Sequence, residues 1–106
     1  MLQVNDRIAI PAAELHFTYA RAGGPGGQNV NKVESKAHLR WPLADSPSVP
    51  PAVKDRLRAA HPARVTAAGD FLVSSQRYRD QERNRQDCLE KLAEMIRAVA
   101  VVPKVR

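Results

Sequence analysis

The sequence predicts an α+β domain, in which a small and mostly antiparallel sheet of three to four strands packs against one long C-terminal helix and one short helix. Three observations predict it. Residues 14–19 and 35–41 alternate polar and apolar side chains. Residues 71–75, Phe-Leu-Val-Ser-Ser, follow a turn and predict a third strand, and residues 80–99 carry apolar side chains at helical spacing. Because the chain has 106 residues, we expect a single domain spanning residues 1–106.

The first strands precede a glycine-rich segment. An opening apolar stretch containing Val4 and Ile8 is closed by Pro11. In residues 14–19, the side chains of Leu15, Phe17 and Tyr19 share one face, which is typical of a half-buried strand.

The second alternating stretch, residues 35–41, follows the glycine-rich segment. Its apolar face carries Ala37, Leu39 and Trp41, and its polar face carries Lys36, His38 and Arg40. We expect a second strand whose polar face presents two cations.

A short helix is expected after the second strand. Residues 42–51 contain four prolines and predict a linker. Ser48 is predicted to cap a helix whose first turn accepts Pro50 and Pro51, because the missing N–H groups cost nothing there. Apolar residues recur at helical spacing from Val53, and Pro62 ends the helix.

The long helix is the clearest element. After a turn at residues 68–70 and the third strand, it begins near Asp80, the predicted N-cap, and Pro103 marks its end. One apolar face carries Cys88, Leu89, Leu92, Ile96 and Val99. This spacing predicts that Cys88 belongs to the core and is not a nucleophile. Asn84 and Gln81 are expected to form structural hydrogen bonds near the helix start.

The charge balance favours a polyanionic partner. Seventeen Lys/Arg against eleven Asp/Glu give a net charge of +6, and most of this excess lies after residue 53. Nucleic acid is favoured over an anionic membrane, because no basic amphipathic anchor helix is evident. No secretory leader or membrane span is expected, and the single cysteine fits a reducing, cytoplasmic location.

Four of the five glycines lie in residues 23–27, and a simple hairpin does not account for them. A P-loop would need Gly-Lys-Ser/Thr, whereas Lys32 follows Asn31 and precedes Val33. A dinucleotide fingerprint would need a third glycine where Asn29 stands. Consecutive glycines followed by amide side chains instead allow the main chain to approach a ligand closely.

The segment Gly24-Pro25-Gly26-Gly27-Gln28-Asn29-Val30-Asn31-Lys32 resembles the GGQ signature of class I peptide-chain release factors. The flanking residues Arg21, Ser35 and Leu39-Arg40 also match that pattern. Residues 75–85, Ser-Gln-Arg-Tyr-Arg-Asp-Gln-Glu-Arg-Asn-Arg, resemble a second block of the same family. The similarity therefore runs through nearly the whole chain.

The absence of codon-reading domains makes the chain similar to the short, codon-independent ribosome-rescue hydrolases of the alternative ribosome-rescue factor B type. Those factors carry a very basic C-terminal tail, whereas this sequence stops at Arg106. A shortened chain and a natural chain without the tail both fit. The resemblance implies hydrolysis of the peptidyl-tRNA ester, with the ribosome, its large-subunit peptidyl-transferase centre, peptidyl-tRNA and ribosomal RNA as partners, and we expect a monomer.

Gly26, Gly27 and Gln28 are the predicted catalytic residues. No Ser-His-Asp or Cys-His arrangement is evident, and His16, His38 and His61 lack metal-ligand spacing, so we expect no metal and no cofactor. The predicted RNA-backbone contacts are Arg21, Lys32, Lys36, Arg40, Arg77, Arg79 and Arg83. Two alternatives remain open: a non-catalytic RNA- or ribosome-binding module, and an interaction domain of a larger ribosome-associated protein, such as a component of an organellar large subunit.

Overall fold

A computed structural model describes residues 1–20 and 35–100, and within them the α+β prediction is confirmed. The strands are β1 (Leu2–Gln3), β2 (Ala9–Ile10), β3 (His16–Ala20), β4 (Lys36–Trp41) and β5 (Phe71–Ser75). The helices are α1 (Pro51–Ala60) and α2 (Gln81–Ala100), and short 3₁₀ turns cover Ala12–Glu14, Leu43–Asp45 and Pro62–Arg64. None of the described helices is long and apolar enough to cross a bilayer.

The three predicted strands form one antiparallel sheet in the order β3-β4-β5. Ala37 is opposite Tyr19 on one side and Ser75 on the other, which fixes the register of all three strands. The opening apolar stretch does not join this sheet. It forms a separate hairpin in which β1 pairs with β2, and Arg97 of α2 donates a hydrogen bond to the main-chain oxygen of Val4 beside it.

One face of the sheet packs against α2 to form the core. The helix contributes Cys88, Leu92 and Ile96, all fully buried, and the ring of Trp41 meets Phe71 edge-on at 6.5 Å. Burial of each large apolar side chain contributes roughly 1.5–3 kcal/mol. Burial also raises the pKa of the Cys88 thiol to about 11, so the thiol stays protonated and the prediction that Cys88 is a core residue is confirmed.

The two helix starts differ in how well the sequence predicted them. Asp80 precedes α2, and its Oδ1 accepts a hydrogen bond from the Glu82 amide at 2.9 Å, which confirms Asp80 as the N-cap. The prediction for Ser48 was wrong, because the N-cap of α1 is Pro50 and makes no side-chain cap bond. The Ser48 hydroxyl instead donates to Glu14 Oε2 at 2.6 Å.

Glu14 accepts several hydrogen bonds at the end of the sheet that is remote from the glycine-rich segment. Its carboxylate accepts hydrogen bonds from the indole N–H of Trp41 at 3.0 Å and from the hydroxyls of Ser46 and Ser48. Burial alone would raise the pKa of Glu14, but the three hydrogen bonds, with help from the Lys54 charge, outweigh it and lower the pKa. This carboxylate therefore ties β4 to the segment before α1.

The predicted turn at residues 68–70 depends on Gly69. Its φ of +94° lies in the left-handed region, and a Cβ there would stand 2.7 Å from the Cβ of Ala44. The main-chain oxygen of Gly69 also accepts a hydrogen bond from the Ala44 amide at 3.0 Å. Only glycine satisfies both the dihedral angle and the close approach at this position.

Candidate functional site at the glycine-loop edge

The glycine-rich segment connects the C-terminal end of β3 to the N-terminal end of β4, and it therefore joins the three-stranded sheet at one end of its strands. The described chain stops after Ala20 and resumes at Ser35, and Ala20 is opposite Lys36 in the β3–β4 pairing. Both ends of the intervening segment are therefore held side by side. Residues 21–34 lie outside the described residues, and with them the predicted catalytic residues Gly26, Gly27 and Gln28 and the predicted RNA contacts Arg21 and Lys32.

The end of β5, residues 76–80 and the start of α2 also lie at this end of the sheet. Ser75 ends β5 opposite Ala37, so the third strand finishes beside the attachment point of the segment. Residues 76–80 then lead directly into α2. We call this region, formed by Ala20, Ser35, Lys36 and residues 75–84, the loop edge.

The buried side chain of Asn84 links the strands and the connecting segment of the loop edge by hydrogen bonds. It is fully buried in the first turn of α2, and its Nδ2 donates to the main-chain oxygens of Ser35 at 2.6 Å and Tyr78 at 2.9 Å. Its Oδ1 accepts from the Tyr78 amide at 2.9 Å and from the Ser75 hydroxyl at 3.3 Å. One side chain thus fixes the start of β4, the end of β5 and residues 76–80, which confirms its predicted structural role.

Asp87 supports the same network one turn later. Its carboxylate accepts a hydrogen bond from the Ser75 hydroxyl at 2.7 Å and forms ion pairs with Arg77 and Lys91, each at 3.3 Å. Burial would raise the pKa of Asp87, but the Ser75 hydrogen bond and the two cations outweigh it and lower the pKa. The carboxylate therefore stays ionised and holds Arg77 against the edge.

The outer surface of the loop edge carries an aromatic ring with two guanidinium groups near it. The Tyr78 side chain is 37% exposed, and the guanidinium carbons of Arg77 and Arg83 lie 5.4 and 5.7 Å from its ring centroid. Arg79 is exposed and has no ion pair among the described residues. Guanidinium groups stacked on an exposed aromatic ring can contact phosphates and bases at once.

The carboxylates near the loop edge are occupied. Asp80 caps the helix, Glu82 pairs with Arg85 at 3.5 Å, and Asp87 is held by its three donors. Each of these described carboxylates has a donor or a cation as its partner, so their negative charge is partly neutralised. The edge is therefore suited to binding a polyanion and to positioning the segment attached to it.

The predicted RNA contacts divide into two groups. Lys36, Arg77, Arg79 and Arg83 come together at the loop edge. Arg40 lies near the opposite end of β4, where it is opposite His16 and Leu72 and forms an ion pair with Asp70 at 3.4 Å. The alternation in residues 35–41 correctly placed Lys36 and Arg40 on one face, but spacing along the strand separates them by about 13 Å.

Tyr78 and Arg64 were not among the RNA contacts predicted from the sequence. Tyr78 could have been found, because an aromatic residue between Arg77 and Arg79 is typical of nucleic-acid surfaces. Arg64 had no such signal, since it comes near β4 only through tertiary structure.

The family is shown by comparison with known proteins. Residues 3–104 match the family model described as the RF-1 domain, so the chain belongs to the RF-1 domain family. This agrees with the resemblance carried by the nine-residue GGQ-type motif and by residues 75–85.

Three relatives show which members of the RF-1 domain family this chain is similar to. The chain is 44% identical to peptidyl-tRNA hydrolase ArfB of Pseudomonas putida over all 106 residues, which cover 77% of that protein. It is 40% identical over 95 residues to the large ribosomal subunit protein mL62 of Mus musculus, covering 90% of this chain and 46% of the mouse protein. It is also 30% identical over 89 residues to peptide chain release factor 1 of Bacteroides fragilis, covering 84% of this chain but 20% of that factor.

Proposed function

We propose that the chain is a peptidyl-tRNA hydrolase that releases nascent peptides from stalled ribosomes without reading a codon. The observation that carries this proposal is the motif Gly24–Lys32 within a chain that is 44% identical over its whole length to a peptidyl-tRNA hydrolase. On this proposal residues 1–106 form one catalytic domain, which acts as a monomer in the cytoplasm.

The proposed chemistry is the attack of water on the ester between the nascent peptide and the terminal adenosine of tRNA. The attack forms a tetrahedral oxyanion, and the protein needs to supply only positioning and electrostatic stabilisation, because the ribosomal centre admits the water. We assign the main-chain N–H of Gln28 as the donor to the developing charge or to the leaving 3′ oxygen. One preorganised donor of this kind is worth roughly 10²–10³ in rate.

Gly26 and Gly27 would give the main chain the freedom to present that N–H, since glycine alone adopts positive φ readily. The Gln28 side-chain amide would orient the attacking water. The loop edge supports this assignment indirectly: Asn84 and the β3–β4 pairing fix both ends of the segment that carries the motif.

The proposed contacts with tRNA or ribosomal RNA are Lys36, Arg77, Arg79 and Arg83 at the loop edge, Arg21 and Lys32 in the attached segment, and Arg40 further along β4. What supports Arg77 and Arg83 is the position of their guanidinium carbons, 5.4 and 5.7 Å from the centroid of the exposed Tyr78 ring. Lys36 and Arg79 are included because they belong to the same end of the sheet. Such contacts would hold the domain in one orientation while the motif faces the ester.

The test is single-turnover peptide release from ribosomes that carry peptidyl-tRNA over an empty A site. We expect release by the wild-type chain and loss of release in Gln28→Ala. Free peptidyl-tRNA is the discriminating substrate, since we expect it to stay intact. Hydrolysis of free peptidyl-tRNA at a comparable rate would instead indicate a self-sufficient hydrolase and would overturn the proposal.

A second candidate is a resident component of a large ribosomal subunit, and the 40% identity to mL62 favours it. A resident component would co-sediment stoichiometrically with the subunit after a high-salt wash. A factor that binds and leaves would be removed by the wash and would release peptide over several turnovers.

A further inference from the structure

The outer face of the three-stranded sheet, opposite α2, contains a groove of about 540 Å³. The strands β3, β4 and β5 and the Pro62–Arg64 turn line it. The side chains used below are His16, Thr18, His38, Arg40, Arg64 and Leu72. Its volume lies within the range of small-ligand pockets, roughly 300–1,000 Å³. The mechanism proposed above does not use it.

The groove combines an apolar floor with cations. Leu72 is 41% exposed, which is unusual for a large apolar side chain in the middle of a strand. Arg40 and Arg64 both line the groove, and none of the ten described residues that line it is acidic. Among the described residues, Arg40 pairs with Asp70 at 3.4 Å, and its side chain is still 50% exposed, so its remaining N–H groups can reach a ligand.

We propose that this groove binds one unpaired nucleotide of RNA. The base would lie against Leu72 and the imidazole rings of His16 and His38, and the adjoining phosphate would contact Arg40 and Arg64. The Thr18 hydroxyl can donate to or accept from a base edge or a 2′-hydroxyl. An apolar peptide would contact Leu72 but would bring no anion to Arg64, which has no ion pair among the described residues, or to the exposed part of the Arg40 guanidinium.

The position of the groove also favours an RNA strand. The polar face of β4 carries Lys36, His38 and Arg40 in a row, from the loop edge to the groove. Same-face residues of a strand are about 6.7 Å apart, so the row forms a continuous track. The proposal rests on the proposed function only in taking RNA as the partner. It adds a nucleotide-binding site that is separate from the loop edge.

The test is NMR titration of the full chain with single-stranded tetraadenylate RNA, with affinity determined from the resonances of each surface separately. We expect His16, His38 and Leu72 to shift on titration. Arg64→Glu should weaken binding at the groove about tenfold or more and reduce the salt slope of log K by about 0.7 for each phosphate that the variant no longer neutralises. Leu72→Ala should weaken binding severalfold without changing that slope, because it removes contact with the base only.

Arg7→Glu is the matched control, since Arg7 is exposed on the N-terminal hairpin and has no ion pair among the described residues. It makes the same charge change and should alter groove affinity less than twofold. Arg64→Gln serves as a second variant if Arg64→Glu does not fold. Unshifted groove resonances, or an equal effect of Arg64→Glu and Arg7→Glu, would overturn the inference.

Peptide release measured on the same proteins separates this inference from the proposed function. Wild-type chain that releases peptide but shows no RNA at the groove would contradict the groove alone. Chain that binds RNA at the groove but releases no peptide from stalled ribosomes would contradict the hydrolase proposal and support the groove.

Discussion

Asn84 Nδ2 donates a hydrogen bond to the main-chain oxygen of Ser35 at 2.6 Å, across 49 residues of sequence. Ser35 is the first described residue after the segment that carries the GGQ-type motif, and Asn84 belongs to the first turn of α2. The long helix is therefore bonded directly to the point where that segment rejoins the sheet. This bond links the start of α2 to the start of β4, two regions that are distant in sequence.

Replacement of Asn84 should be costly to stability. Asn84→Ala leaves the Tyr78 amide and two main-chain oxygens without their partner inside the protein, and each unsatisfied buried group costs roughly 1–3 kcal/mol. We expect a loss of about 3 kcal/mol in the free energy of unfolding, measured by urea denaturation. The exposed neighbour Gln86 provides the control, since Gln86→Ala should cost less than about 0.5 kcal/mol. Equal losses in the two variants would contradict the account.

Glu14 should make the free energy of unfolding depend on pH in the acidic range. Its pKa is lowered in the folded protein from an ordinary value near 4.5, so it contributes stability above that value and loses the contribution as the pH falls through the folded pKa. Glu14→Gln should therefore destabilise the protein at pH 7, and its difference from wild type should shrink from about pH 4.5 downward. Thermal unfolding between pH 7 and pH 3 measures this.

Two comparisons make the Glu14 measurement specific. The exposed Glu90→Gln variant on α2 sets the background effect of losing one carboxylate. Asp87, whose pKa is also lowered, titrates in both wild type and Glu14→Gln and cancels in their difference. A Glu14→Gln penalty that stays constant down to pH 3 would show that the ionised carboxylate is not what holds Trp41, Ser46 and Ser48.

The cations of the loop edge should determine the salt dependence of ribosome binding. If Arg79 contacts one phosphate, Arg79→Ala should reduce the slope of log K against log salt by about 1. Arg58→Ala is a matched control on α1, where Arg58 pairs with Asp55 away from the edge, and it should leave the slope unchanged. Sedimentation with ribosomes over a range of salt concentrations measures both. Identical slopes for the two variants would remove Arg79 from the RNA contacts.

Most of the fold could be predicted from local patterns. Alternation predicted β3 and β4, and three- and four-residue spacing predicted α2, because one face of each element is buried against the others. The position of Ser48 before two prolines suggested a helix cap, yet its hydroxyl donates to Glu14, 34 residues earlier. A local pattern cannot reveal such a competing long-range partner.

The candidate site could be predicted only in part, because local patterns reveal neighbours in sequence but not long-range contacts. The cluster of arginines at the helix start is visible in the sequence, but the separation of Arg40 from the loop edge depends on strand length and pairing. The proximity of Arg64 to Arg40 depends on the path from α1 into β5. The bonding of Asn84 to Ser35 likewise required the tertiary structure, although an amide near the helix start was expected to be structural.

The central claim is that the main chain around Gly27 and Gln28 performs the hydrolysis. Single-turnover peptide release from stalled ribosomes, compared between Gly27→Ala and Gln28→Ala, tests it most directly. Because Gly27→Ala disturbs the main-chain geometry whereas Gln28→Ala removes one amide, we predict that Gly27→Ala reduces the release rate at least as much, by roughly 10²-fold or more. A near-wild-type release rate for Gly27→Ala, with ribosome binding intact, would contradict the account.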